Sequence, residues 1–437
     1  MRRLILFLLL LSQVVFAGKG KEDLRMHLQP AVFSVTMVMI HDVVNPPAAS
    51  RFYTYCLMGA YEIAAKNNKQ IVSPSNFVKG LQPVTVADKG CNYQIAALYC
   101  ILETGRLIIP SGYMLEEDQK KLVISLLREG YSQKEIDGAI QVAQDVAKQV
   151  AAGAATDGYL KLSTRVRYRP KKGEAYWYPT PPGYIEGVEP HWQTIRPMII
   201  DSSAQFVPKP PVEFSKDTTS AFYKLAREVY LAGKNLKEDE RFIASYWDCN
   251  PFAINTSGHM SIGFKKISPG GHWMNITGIA TTKARLDLDK GIMVHAIAAA
   301  TLMDGFISCW DEKYRSSRVR PETVINRSMD PKWQPLLQTP PFPEYTSGHS
   351  VISTAVAEAL TYLLGDNFTF RDDTEVIFDL PTRDFKSFRQ AAEEAAISRL
   401  YGGIHYRDAI ENGQEQGKAI GRFVVEKLRT NGIKPVL

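Results

Sequence analysis

The sequence predicts an all-α protein built as two helical bundles, with its active site in the C-terminal bundle. Three observations predict this. Apolar residues recur at helical spacing along most of the chain. Strand-like alternation is scarce. A proline- and aromatic-rich stretch then divides the helical segments into two groups. The divisions read as a first bundle over 18–168, a connecting wrap over 169–215 and a second bundle over 216–437. With 437 residues, 45% apolar and 22% charged, the chain is long enough for cores of that size.

Ahead of the first bundle, 1–17 reads as a secretory signal peptide. Arg2 and Arg3 supply the charged start, Leu4 to Leu11 the apolar run, and Val15-Phe16-Ala17 a small-residue cleavage site. The expectation is a periplasmic or secreted protein. Loss of Arg2 and Arg3 takes the formal charge from +6 to +4 (6 − 2). No cysteine follows the cut, which argues against a lipoprotein. Elsewhere no stretch of eighteen apolar residues occurs. Ile297 to Trp310 is interrupted by Asp304, and Val351 to Leu364 carries Glu358, so no membrane span is expected in the mature chain. No run of five like charges suggests a nucleic-acid surface.

In the first bundle, Asn45-Pro46-Pro47 sets the start of a helix over Ala48 to Lys66, because proline suits a first turn. Asp118 to Arg128 reads as another. Ser132-Gln133-Lys134-Glu135 has the form of a capping box. Behind it Ile136, Ile140, Ala143, Val146 and Val150 recur at helical spacing to about Ala152. From Arg169 to Val212 nine prolines stand among Trp177, Tyr178, Tyr184 and Trp192. The aromatics argue against disorder, so an ordered wrap over the junction of the two halves is predicted. In the second bundle, helices are expected over Thr218–Ala232, Glu238–Trp247, His272–Ala280, Lys290–Trp310, His349–Leu364, Phe385–Arg399 and His405–Leu428. Pro340-Pro341-Phe342-Pro343 is a stop between two of them.

The five cysteines are Cys56, Cys91, Cys100, Cys249 and Cys309, so at least one is unpaired or bonds between chains. Cys91 and Cys100 are spaced for a local pair. No C-x-x-C or Cys/His cluster is present, and zinc is not suggested.

Three segments carry the chemistry. They are Lys313-(six residues)-Arg320-Pro321, Thr346-Ser347-Gly348-His349, and Ser398-Arg399-(five residues)-His405. Together they supply three cations, a hydroxyl, an unhindered glycine N–H and two imidazoles, the set that a tetrahedral oxyanion needs. Ser347-Gly348-His349 falls where a proline-rich loop ends and the helix of Val351, Ala355, Ala359 and Leu363 begins. Free N–H groups and the dipole at that end favour an anion. His349 can exchange a proton near neutral pH. Lys313 falls in or just after the last turn of its helix and Arg320 in the following loop. Lys313, Arg315, Arg318 and Arg320 crowd eight residues and must be screened by solvent or a ligand. Gly402 and Gly403 turn the chain so that Arg399 and His405 converge. Asp408, one turn on, can hold the other nitrogen of His405. The remaining histidines, His27, His41, His191, His259, His272 and His295, read as structural.

Over Lys313 to Asp408 these segments resemble the signature shared by vanadium-dependent haloperoxidases, soluble acid phosphatases and type 2 phosphatidic acid phosphatases: Lys-x6-Arg-Pro, Pro-Ser-Gly-His, and Ser-Arg-x5-His-x3-Asp. The resemblance implies their helical fold and vanadate as cofactor. Lys313, Arg320, Arg399, Ser347 and the Gly348 N–H would bind the equatorial oxygens. His349 would be the acid–base group, and His405 would bond to vanadium or, in a phosphatase, attack phosphorus. Thr346 stands where the family has proline. Two residues rather than three separate His405 from Asp408, so its partner is Asp408 from a shifted angle, or Asp248, or Glu411.

The anion-binding residues serve both reactions, since vanadate adopts the geometry of a phosphoryl group in transfer. The length, the two bundles and the lack of spans lean towards a haloperoxidase similar to bacterial iodoperoxidases. Trp310 and Phe342 resemble the aromatic halide pocket of fungal chloroperoxidase and of bacterial iodoperoxidases, rather than the extra histidine of algal bromoperoxidases. The expected reaction takes hydrogen peroxide, a halide (iodide or bromide) and a small organic acceptor, with Lys313 polarising the bound peroxide. The alternative is a secreted acid phosphatase with a phosphohistidine at His405.

Overall fold

Residues 23–437, apart from 82, 88–89, 258–259 and 264, are described by the computed structural model. The expected signal peptide, 1–17, lies outside the described residues. The first group of helices is α1 (Leu28–His41), α2 (Pro46–Asn67), α3 (Tyr93–Ile108), α4 (Leu115–Arg128) and α5 (Gln133–Ala154). The second is α6 (Ala221–Lys234), α7 (Glu238–Tyr246), α8 (Pro269–Lys283), α9 (Leu288–Ser316), α10 (Pro321–Ser328), α11 (Gly348–Leu364), α12 (Phe388–Tyr401) and α13 (Arg407–Thr430). Besides short 3-10 turns, the described residues form two small antiparallel ribbons: β1 (Ile254–Ser257) with β2 (Met260–Gly263), and β3 (Phe370–Asp372) with β4 (Arg383–Phe385). The protein is all-α, as the periodicity predicts.

Local chemistry sets the helix ends. The Asn45 side chain accepts from the Ala48 N–H, and Pro46 and Pro47 fill the first turn of α2. The Ser132–Glu135 capping box forms as expected at α5. Helices α1, α3 and α10 were not expected. Most of α1 and α3 is buried, so their sequences lack the polar face that makes a helical period visible.

Helix α9 is the spine. Its apolar window is long enough to cross a bilayer by length and composition, but that window is wholly buried in protein. It packs against α2 on one side and against α11 on the other. One apolar core therefore runs from Leu28 and Phe52 through Ile297 to Leu360 and Val424. Asp304, in the middle of α9, is fully buried. Its carboxylate accepts the N–H groups of Met198 (2.7 Å), Ile199 (2.7 Å) and Ile200 (2.9 Å). The one charge that interrupts this apolar run thus fastens the wrap.

The wrap is ordered at other points too. Trp177 and Trp192 are buried, and the Trp177 N–H donates to Ser317 O at 2.8 Å. Val319 N–H donates to Ala175 O, and Val188 N–H to Pro341 O, each at 3.0 Å. These bonds clamp the wrap to the end of α9 and to the loop that precedes α11. Helix α13 meets α11 along a stripe of Gly413, Gly417 and Gly421. A Cβ on Gly417 would lie 2.3 Å from Val351 O. That close approach seats the start of α11 beside α13, and Ser347 N–H donates to Ala409 O at 3.0 Å. The local Cys91–Cys100 pairing is not formed: Cys100 is a buried thiol next to Thr104.

Candidate active site

A cavity opens where the end of α9, the loop before α11, the start of α11 and the turn between α12 and α13 meet. Trp310, Phe342, Gly348, His349, Arg399 and His405 line it. All six were singled out from the sequence. The turn works as expected: α12 ends at Tyr401, Gly403 takes a positive φ of 77°, and α13 begins at Arg407.

Ser347 is the N-cap of α11, its hydroxyl accepting from the Ser350 N–H at 3.3 Å. Its own O–H remains a donor at a helix N-terminus. A Cβ on Gly348 would meet only Trp310, at 3.8 Å, so the glycine leaves backbone open to the cavity. His349 has a buried Nε2 with no hydrogen-bond partner among the described residues. Burial holds its pKa well below the usual imidazole value, and Arg399, His405 and His272 add to this by charge. His349 is therefore neutral in the free site, ready to take a proton.

His405 is held more firmly. Its Nδ1 lies 2.8 Å from Glu344 Oε1, and Arg320 Nη1 donates to its Nε2 at 3.1 Å. An arginine can only donate, so Nε2 carries the lone pair and Nδ1 the proton. Burial, with Arg320, Lys313, Arg399 and Arg318, pushes the pKa of His405 well below its usual value. A neutral ring in one tautomer presents Nε2 as the nucleophilic or ligating atom.

The expected orienting role of Asp408 is corrected. Asp408 forms a two-pronged pair with Arg318, both bonds at 2.6 Å, and accepts the Val212 N–H of the wrap. Arg318 Nε donates in turn to Glu344 Oε2 at 2.7 Å. Asp408 thus reaches His405 only through Arg318 and Glu344, because the missing residue before it rotates it off the required face. The other two candidates fail as well: Asp248 pairs with Lys266, and Glu411 lies 3.9 Å from Arg407. Glu344 was missed. Its signal is a fully buried carboxylate in the apolar run Pro341-Phe342-Pro343, three residues before Ser347.

The crowd of cations resolves into two sets. Arg315 pairs with Glu312, and Arg318 is neutralised by Glu344 and Asp408. Those two carboxylates raise the pKa of Arg318 despite its burial. Lys313, Arg320 and Arg399, all fully or nearly fully buried, hold carbonyl oxygens instead. Lys313 Nζ donates to Pro343 O (3.2 Å), Glu344 O (3.2 Å) and Thr346 O (2.5 Å). Its three N–H bonds thus brace the loop that ends at Ser347, and Lys313 acts on the cavity as a charge. Arg320 donates to Phe342 O and Ile404 O, leaving Nη2 buried without a partner among the described residues. Arg399 Nη2 donates to Trp247 O at 2.6 Å. Burial pulls Lys313 down to about 8 and Arg320 to about 10. Three buried cations with no ion-pair partner among the described residues are costly unless an anion joins them.

The aromatic pair stands as expected beside these groups. The Trp310 and Phe342 rings lie 4.9 Å apart, and Trp310 Nε1 donates to Val188 O of the wrap. Of the remaining histidines, His259 lies outside the described residues. His27, His41, His191 and His295 each meet one oxygen-bearing partner. His272 meets three groups, Asp372, Glu375 and Cys249.

An all-α scaffold thus brings together three buried cations with no ion-pair partner among the described residues, a helix N-terminus and two neutral imidazoles, the donor set that a tetrahedral oxyanion needs. Comparison with known proteins narrows this. The model of the VCPO second helical-bundle domain matches residues 293–431. A crystal structure of a bacterial vanadium-dependent iodoperoxidase is 44% identical, with a TM-score of 0.85 over 92% of this chain and 96% of that one. The chain belongs to the vanadium haloperoxidase family. Holo and apo structures of a bacterial vanadium-dependent chloroperoxidase share the fold, at 15% and 14% identity and a TM-score of 0.67 each. They cover 90% and 89% of this chain, and 93% and 95% of theirs. No curated protein sequence matches.

Proposed function

We propose that this protein is a secreted, vanadate-dependent peroxidase that oxidises iodide or bromide with hydrogen peroxide to hypohalous acid. The acid then halogenates a small organic acceptor. One observation carries the reading: the unpartnered Arg320 Nη2 and His349 Nε2 are buried beside a His405 whose Nε2 lone pair is fixed in place. Those groups fit a bound vanadate, with His405 Nε2 as its protein ligand and Arg320, Arg399, Ser347 and the Gly348 N–H around its oxygens. Lys313 adds positive charge from behind the loop. When bound, vanadate supplies the Lewis-acid centre that activates peroxide.

The chain's own groups do the rest. Neutral His349 accepts the proton that hydrogen peroxide must lose on binding and returns it to the departing oxygen as water. Overall, peroxide, halide and one proton give hypohalous acid and water. Trp310 and Phe342 shield the cavity from bulk water and offer a polarisable wall to a large, soft halide. The 44% identical relative is an iodoperoxidase, which supports iodide or bromide over chloride. Export is supported by the charged, apolar and small-residue order of 2–17.

The test pairs two assays on one preparation. With orthovanadate, peroxide and iodide, a phenol-type indicator should be halogenated, and bromide should follow at a lower rate. Absence of halogenation with every halide, together with hydrolysis of an aryl phosphate in vanadate-free buffer, would establish the phosphohistidine reading instead.

A further inference from the structure

A second buried histidine stands behind the oxyanion cavity, in surroundings of opposite sign. His272 on α8 is fully buried. Its Nδ1 lies 3.6 Å from Cys249 Sγ and 3.1 Å from Glu375 Oε1, and the three atoms all lie within 4.8 Å of one another. We propose that Cys249, His272 and Glu375 form a binding site for one zinc ion.

The two spacings at His272 Nδ1 are close to those of a coordination shell. Tetrahedral bonds of about 2.3 Å to sulfur and about 2.0–2.2 Å to nitrogen and oxygen place ligand atoms roughly 3.3–3.6 Å apart. Both distances from His272 Nδ1 fall near that range. His272 is also prepared from its far side. Its Nε2 lies 2.7 Å from Asp372 Oδ2, and Asp372 Oδ1 accepts the Thr374 N–H (3.0 Å) and hydroxyl (2.6 Å). A carboxylate on the outer nitrogen is the usual support for a metal-bound imidazole. Glu375 Oε1, also buried, faces His272 Nδ1 at 3.1 Å but makes no well-aligned hydrogen bond among the described residues, an arrangement an ion between the two atoms would complete. Thiolate, imidazole and a single carboxylate suit zinc and disfavour magnesium and calcium, which take oxygen ligands. Three protein ligands leave a fourth position to water.

Place in the fold gives the ion a purpose. The His272 ring stacks on Trp247 at 4.4 Å with 17° between planes, and Trp247 O holds Arg399. Zinc would therefore lock the segment that carries Cys249 and Trp247, and with it one of the three anion-binding cations. Cys249 also lines the cavity, so coordination would shield its sulfur from peroxide and hypohalous acid formed there.

The alternative is a metal-free cluster in which a protonated His272 sits between Asp372 and Glu375. The untagged full-length chain, loaded with zinc in vanadate-free buffer and dialysed, separates the two. Elemental analysis should find near one zinc per chain, and cobalt substituted in its place should show a thiolate-to-cobalt charge-transfer band. Cys249→Ser should abolish the band, and Glu375→Gln should lower retention of the ion at least tenfold. Circular dichroism of both variants checks that they fold, and the wild-type cobalt spectrum depends on neither. Less than about a tenth of an equivalent of zinc after loading, or a cobalt spectrum that Cys249→Ser leaves unchanged, overturns the proposal. Either result leaves the peroxidase reading intact, because neither measures halogenation or vanadate binding.

Discussion

The two buried histidine neighbourhoods on either side of Trp247 differ in the sign of what surrounds them. His272 lies 2.7 Å from an Asp372 oxygen and 3.1 Å from a Glu375 oxygen. His405 and His349 face arginines and a lysine, and both are held well below the usual imidazole pKa. One residue type thus meets carboxylates in the first place and cations in the second. Charge balance, rather than histidine itself, sets the chemistry. The same contrast sorts the arginines: Arg318 is closed off by two carboxylates, while Arg320 and Arg399 donate to carbonyls, to His405 Nε2 and to Ser398 Oγ, with no carboxylate among their hydrogen-bond partners in the described residues.

The sharpest way to break the contrast is to remove the anion's protein ligand. His405→Ala should abolish vanadate binding and lower peroxidase turnover by about 10³-fold or more. His349→Ala should cost turnover more than affinity, since its Nε2 handles a proton. Vanadate titration followed by steady-state kinetics checks both. A His405→Ala enzyme that keeps full affinity would remove His405 from the site.

Next in size is the carboxylate that fixes His405. Glu344→Gln keeps the shape but loses the charge that holds Nδ1–H and Arg318 together. A loss of about 10–100-fold in vanadate affinity is expected. Asp408→Asn should cost far less, because its hydrogen bonds among the described residues go to Arg318 and Val212 and not to His405. Equal losses in the two variants would restore Asp408 as the orienting group.

A smaller effect tests the buried cations. In the free site Lys313 loses its proton near pH 8, so it is charged below that pH and neutral above it. Anion affinity should therefore fall as pH rises through about 8, by up to tenfold per unit. Lys313→Arg stays charged and should not show the step. The ratio of the two affinities, measured from about pH 7 to about pH 9, cancels the anion's own titration. A flat ratio would mean that Lys313 adds no charge to the site.

Much of this was legible in sequence. The all-α class and most helices follow from periodicity; four cavity residues follow from three short motifs, and Trp310 and Phe342 from the resemblance those motifs carry. What was hidden depends on distance along the chain or on lack of contrast. Cys249, His272 and Glu375 are separated by 23 and 103 residues, so no spacing rule joins them. The absence of a local Cys/His motif said nothing about a cluster assembled by α8 and the segment after β3. Glu344 was hidden by proximity, because Asp408 stood nearly where the family pattern expects a partner.

Also overlooked was the four-residue rhythm of Gly413, Gly417 and Gly421, since glycine reads as a weakness inside a helix. On α13 it is what lets the helix lie against α11. A methyl group on Gly417 would meet the Val351 carbonyl, which is backbone and cannot swing aside. Gly417→Ala should lower stability by about 1–3 kcal/mol, seen as an earlier denaturation midpoint with an unchanged slope. It should touch activity only modestly, because Ser347 lies a helical turn away and keeps its bond to Ala409. Stability equal to wild type would mean that α11 and α13 can separate at no cost. A large loss of vanadate affinity at unchanged stability would instead tie that helix contact directly to the anion site.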